Sequence, residues 1–134
     1  MMKKRLDVIN SSVEENKLKL MIEDSLTPSD AKQLHATGSM LVDSDHLALI
    51  YILENDTDFV YLAIGNDHWE KLSSAIDEEL IIELHIQTTN DELHKIELEN
   101  ITAEFAYLKD NIADNANYGE EMVNKFSEVF LPQK

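Results

Sequence analysis

Apolar residues alternate with polar ones around Leu6 and Val8, and again at Leu18, Leu20 and Ile22. A period of two sends one side of an extended chain into a core and the other into water. These segments therefore predict two half-buried strands around a polar loop at residues 10–16. Thr27-Pro28-Ser29-Asp30 then opens a short turn or single helix that stops at Gly38. His35 would sit near the end of that segment, where a protonated imidazole favours the exposed carbonyls.

Residues 47–54 and 59–64 are nearly all apolar and are joined by Asn55-Asp56-Thr57-Asp58, which predicts a hairpin. Both faces of these strands are apolar. Leu47, Leu49, Tyr51 and Leu53 line one side; Ala48, Ile50 and Ile52 line the other. Strands of that kind belong at the centre of a covered sheet or against another subunit. Asp67-His68-Trp69-Glu70 next predicts a helix start, with Asp67 and Glu70 at capping-box spacing and Trp69, Leu72 and Ile76 facing inward.

Leu80, Ile82, Leu84 and Ile86, followed by Ile96 and Leu98, predict a second hairpin. Keeping the apolar residues on one face requires 82 opposite 98, 84 opposite 96 and 86 opposite 94. His85 and His94 then lie on opposite faces and cannot share a metal ion. The same register sets Glu83 against Glu97, a like-charge pair expected to be relieved by salt or acid. Helical spacing follows at Ile101, Phe105, Leu108 and Ile112 after an Asn100 cap, and at Met122, Val123, Phe126, Val129 and Phe130 before Pro132.

The expected architecture is α+β: a mostly antiparallel sheet built from hairpins, one helix within the strand region, and two C-terminal helices packed on the sheet. With 134 residues and no Gly/Pro-rich linker or repeat, a single acidic α+β domain spanning 1–134 is expected.

Charge narrows the function classes. The chain has 27 acidic against 11 basic residues, a net charge of −16. Such a surface repels phosphate backbones and anionic lipid, so neither direct nucleic-acid binding nor membrane binding is expected. A protein partner is expected instead, and a basic one would complement this surface. The doubly apolar strands also leave room for a homodimer. There are no cysteines, which removes disulfides, thiolate zinc sites and cysteine nucleophiles and fits a cytoplasmic protein. Met1-Met2-Lys3-Lys4-Arg5 is followed by Leu6-Asp7-Val8-Ile9-Asn10 rather than an apolar run, which argues against a signal peptide.

Asp43-Ser44-Asp45-His46 is the densest group of chemical side chains. Two aspartates at i and i+2 begin a calcium-loop pattern, but Leu47 and Ala48 stand where a third oxygen ligand and a glycine are needed. Zinc would need ligands that the sequence does not place nearby. The cluster therefore reads first as a turn held by its own Asp and Ser side chains, and second as a carboxylate/histidine site. His68 reads as a solvent-facing neighbour of the helix start. Residues 111–119 hold three asparagines and Tyr118 at a helix–helix corner. Asn117 and Tyr118 are binding candidates there, although capping alone would use such residues, with Glu120 as a partner for Asn117. The three glycines, at 38, 65 and 119, are isolated, so no phosphate-cradling loop is formed. No cofactor or metal is expected.

The strings GSMLVDSDHLALIYILEN, WEKL and LKDNIADNANYGEEMV resemble the uncharacterised YjbL-like family of small cytosolic proteins from bacilli and staphylococci. The resemblance implies a bacterial cytosolic setting and carries no activity, cofactor or site residue onto this chain. The expected function is a non-enzymatic protein-interaction or regulatory module with an acidic binding face. The alternative is a small hydrolase or ligand-binding enzyme using Asp43, Asp45 and His46, so enzymatic activity is left open. An immunity protein that neutralises a toxin shares the small acidic profile by analogy alone.

Overall fold

The computed structural model describes residues 4–23, 26–112 and 119–130. Strands Lys4–Glu14 (β1) and Lys17–Ile22 (β2) pair antiparallel across Glu15 and Asn16, whose φ angles of 53° and 64° suit a two-residue hairpin turn. The expected loop at 10–16 is thus mostly strand. What holds those polar residues in the ladder is a shift of register between Val8 and Asn10. His68 fastens it: Nε2–H donates to the Val8 carbonyl at 3.2 Å, and Nδ1 accepts from the Ser11 hydroxyl at 2.9 Å. Lys71 Nζ donates to the Ser11 carbonyl at 2.8 Å. His68 is therefore a staple between helix start and bulge rather than a solvent-facing neighbour, and Ser11 is buried beneath it.

Pro28–Gln33 (α1) begins as expected, with Thr27 Oγ1 accepting the Asp30 N–H at 3.0 Å. It ends at Gln33, and His35–Asp43 (β3) follows directly. Gly38, expected to stop the helix, instead has φ +78° within a register shift of β3, a conformation that favours glycine. His35 lies in β3 and not at a helix end. The expected hairpin is present as Ala48–Glu54 (β4) and Phe59–Gly65 (β5), with Tyr51 opposite Leu62.

A 3-10 turn at Asn66–His68 leads into Trp69–Asp77 (α2), whose cap residue is His68. The expected capping box of Asp67 and Glu70 does not form, because no side-chain cap hydrogen bond is made there. Ile81–Gln87 (β6) and Leu93–Glu97 (β7) pair as the apolar pattern requires, 84 with 96 and 86 with 94. Helices Ile101–Ile112 (α3) and Glu120–Phe130 (α4) complete the described chain.

The architecture is α+β, with seven strands among the described residues in the order β3-β4-β5-β1-β2-β6-β7. Pairing is mostly antiparallel; β1–β5 and β2–β6 are parallel. Helices α1 and α2 lie within the strand region, α1 being the segment read as a short turn or single helix. The sheet curls until β3 and β7 approach each other. Its concave face holds the main core with α2, α3 and α4. The centre of that core is aromatic: Trp69, Phe105, Phe126 and Phe130 stack with centroid separations from 4.5 to 6.1 Å. Trp69 Nε1–H donates to the Ile64 carbonyl at 2.9 Å, so its one polar atom is satisfied within the core.

The two sheet edges are joined by side chains. The buried Tyr51 hydroxyl donates to the Glu99 carbonyl at 2.5 Å and accepts the Gly38 N–H at 3.2 Å. Asn100 Nδ2 donates to the Gly38 carbonyl at 3.1 Å. The expected side-chain cap at Asn100 is thus replaced by a cross-sheet contact, while its carbonyl still accepts the Glu104 N–H at 3.0 Å. Burial pushes the Tyr51 phenol up to about 12, so it keeps its proton at any ordinary pH.

Candidate functional site

Asp43 ends β3, Ser44–His46 form a 3-10 turn, and Leu47 closes it at φ +48° before β4 begins. A left-handed leucine costs about 1 kcal/mol. It is held by the packing of Leu47 on the core and by Asn66 Nδ2, which donates to its carbonyl at 3.5 Å. The cluster is a turn, as read first, but its side chains do not serve the backbone. Asp43 makes no side-chain cap hydrogen bond. Its Oδ2 instead accepts from Arg5 Nη1 at 2.7 Å and from His46 Nδ1 at 2.9 Å.

The Arg5–Asp43 contact reaches from β1 to β3 over two intervening strands. The outward residues on that path are Ala48, Ala63 and Gly65, small enough to let the guanidinium side chain lie across them. Arg5 holds the Asp43 carboxyl below its ordinary value of 3.8, with His46 adding to the effect against burial. A depressed carboxyl contributes stability that is fully present above its unfolded value and lost as pH falls through the folded one. Asp43→Asn is therefore expected to cost about 1 kcal/mol near neutral pH, discounted for the partial exposure of Arg5. Urea titrations of both proteins should converge below about pH 3; a constant gap down to pH 2 would show that the charge is not the cause.

Asp45 is exposed, and His46 is 68% exposed. An imidazole so open to water has no enclosure in which to hold a reacting atom. Among the described residues, no three His, Asp or Glu side chains come together to hold a metal ion. Asn117 and Tyr118 lie outside the described residues.

Glu83 stands opposite Glu97, as the register predicts. Burial raises its carboxyl, yet the contacts from His85 at 3.1 Å and Lys17 at 3.4 Å prevail and leave it below its usual 4.5. Acid therefore removes favourable contacts here, contrary to the relief expected from the like-charge pair alone.

The more informative surface is the convex face of β3, β4, β5 and β1, whose buried Ala48, Ile50 and Ala63 form a cluster of their own with Tyr61, apart from the helix-covered core. Leu41, Ile50, Ile52, Phe59 and Tyr61 lie on this face with Ala48 and Ala63. Ala48, Ile50 and Ala63 are buried by their neighbours, whereas Leu41 is 44% and Phe59 49% exposed. Carboxylates edge the patch: Glu54, Asp56 and Asp58 at the hairpin end, Asp7, Asp45 and Asp67 toward the other. The alternation at 48, 50 and 52 announced this face; Leu41 was missed because β3 was not read as a strand.

No helix among the described residues is long and apolar enough to cross a membrane. No solved structure matches the chain. Its residues 6–130 match the model of the UPF0738 family, a family of unknown function. A UPF0738 protein of Bacillus cytotoxicus is 40% identical over 97% of this chain and its own whole length. UPF0738 proteins of Bacillus pumilus and Bacillus licheniformis are 39% and 37% identical over the same shares. With a full-length match of this kind to relatives in bacilli, the chain belongs to the UPF0738 family.

Proposed function

We propose that the protein is a non-enzymatic interaction module of the cytoplasm that receives a basic protein on the convex face of β3, β4, β5 and β1. The observation that carries the reading is the half-exposed pair Leu41 and Phe59 on a sheet face apart from the helix-covered core, edged by carboxylates. Exposed apolar patches of this kind mark interaction sites. The acidic edge decides between occupants. A second copy would bring carboxylates against carboxylates, whereas lysines and arginines around an apolar patch would meet them favourably. The net charge of −16 steers the same partner at long range.

The test is capture from the cytosol of a bacillus by wild-type protein and by a Leu41→Ser/Phe59→Ser variant, washed with rising salt. The expected result is one stoichiometric basic protein that the variant loses and that salt releases from the wild type. Equal capture by the variant, or retention indifferent to salt, would refute the reading. Light scattering supplies the other arm: a dimer dissolved by Phe59→Ser would assign the face to a second copy.

A further inference from the structure

Strands β3, β4 and β5 contain neither lysine nor arginine, yet an arginine lies across their convex face. Arg5 reaches there from β1 and holds two carboxylates with different nitrogens. Its Nε donates to Asp7 Oδ1 at 3.0 Å and its Nη1 to Asp43 Oδ2 at 2.7 Å. The contacts are open to water, the Arg5 side chain being 37% exposed and that of Asp7 65%. Ion pairs of this kind hold weakly, so a competing cation can take them over.

Small residues shape the ground beside the strap. Asp43, Ala48 and Gly65 stand in one row across β3, β4 and β5, and Ala63 on β5 is the register partner of Asp7. Nothing lies within 4 Å of the place where a side chain on Gly65 would begin. The row therefore ends in open space, a path by which a second side chain can reach the carboxylates. His46 Nδ1 keeps its own contact with Asp43 Oδ2 at 2.9 Å, which leaves that carboxylate oriented when Arg5 departs.

We infer that Arg5 is an internal occupant of an arginine seat, and that an arginine of the basic partner displaces it between Asp7 and Asp43. The inference rests on the convex face being the partner's surface, and it adds an autoinhibitory contact to that face. A lysine suits the seat less well. An ammonium is a point charge, whereas the two carboxylates are engaged by separate nitrogens of one planar group. Exchange of one guanidinium for another leaves neither aspartate unpaired. A partner without arginine would have to leave the strap in place or strand the carboxylates, and this selects against it.

The experiment is an amide-shift titration of the full chain, as wild type and as Arg5→Gln, with N-acetylarginine amide and with N-acetyllysine amide alongside. Saturable shifts are expected in Arg5→Gln at residues 7, 43–48 and 63–65, with the arginine probe the tighter ligand. Wild type, its seat filled, should bind that probe at least about tenfold more weakly. Arg5→Gln/Asp43→Asn should lose the binding, and Arg5→Gln/Asp56→Asn, altered at the hairpin end, should keep it. Equal binding by wild type, no preference for arginine, shifts elsewhere or no saturable binding would overturn the inference. The probe needs no partner. Its failure therefore strikes the Arg5 seat alone, whereas probe binding with no captured protein strikes the convex-face reading.

Discussion

Phe126→Ala is expected to destabilise the protein by about 3–5 kcal/mol in urea unfolding, the range for an emptied aromatic core position. The Phe126 side chain is fully buried, with ring centroids 4.8 Å from Phe130, 5.6 Å from Phe105 and 6.1 Å from Trp69. Removing it leaves three rings facing a void that none of them can fill alone. Each aromatic pair also contributes about 0.5–1.5 kcal/mol beyond its buried area. Helix α4 has 11 residues, too few to be stable by itself in water. It is held by its buried stripe of Met122, Phe126 and Phe130, so hydrogen exchange in α4 should quicken first. Phe126→Leu, which keeps most of the volume, should cost clearly less. A loss below about 1 kcal/mol for the alanine variant would mean that the aromatic stack does not hold α4 in place.

The parts of the fold that the sequence made legible are those set by local alternation. The 48–65 hairpin and the register of β6 with β7 follow from which residues must share a face. The parallel pairings of β1 with β5 and β2 with β6 are tertiary choices that leave no mark on a single segment. The polar half of β1 was hidden for another reason. Asn10, Ser11 and Ser12 read as loop until His68, distant in sequence, supplies hydrogen bonds to the bulge. Gly38 misled in the same way, because a positive φ ends a helix and kinks a strand equally well.

The chemical cluster divides along the same line. That Asp43-Ser44-Asp45-His46 turns the chain was readable from composition. That Asp43 answers Arg5, 38 residues earlier, was not. The doubly apolar character of β4 was plain, yet its consequence depended on which face the helices cover. They cover the face of Leu49, Tyr51 and Leu53. The opposite face is left to its own side chains and to the Arg5–Asp43 strap.

Tyr51→Phe isolates the hydroxyl that joins the sheet edges and is expected to cost about 1–3 kcal/mol. The ring itself remains packed, so the change is confined to one oxygen. That oxygen satisfies two backbone groups, the Gly38 N–H within β3 and the Glu99 carbonyl just beyond β7. A hydrogen bond contributes about 0.5–1.5 kcal/mol net, and here two are lost together. Asn100 would still donate to the Gly38 carbonyl, so the seam should loosen without opening fully. Faster amide exchange should therefore appear at Gly38 and along β7, while the β4–β5 hairpin, laddered on both sides, keeps its protection. The location of the change carries the inference. Uniform acceleration over the whole sheet would mean that the hydroxyl supports global stability alone, and that the edges are held together by packing. Acceleration limited to the seam would establish that one phenol stands in for the missing ladder between β3 and β7. The curled sheet would then be a barrel closed by a side chain.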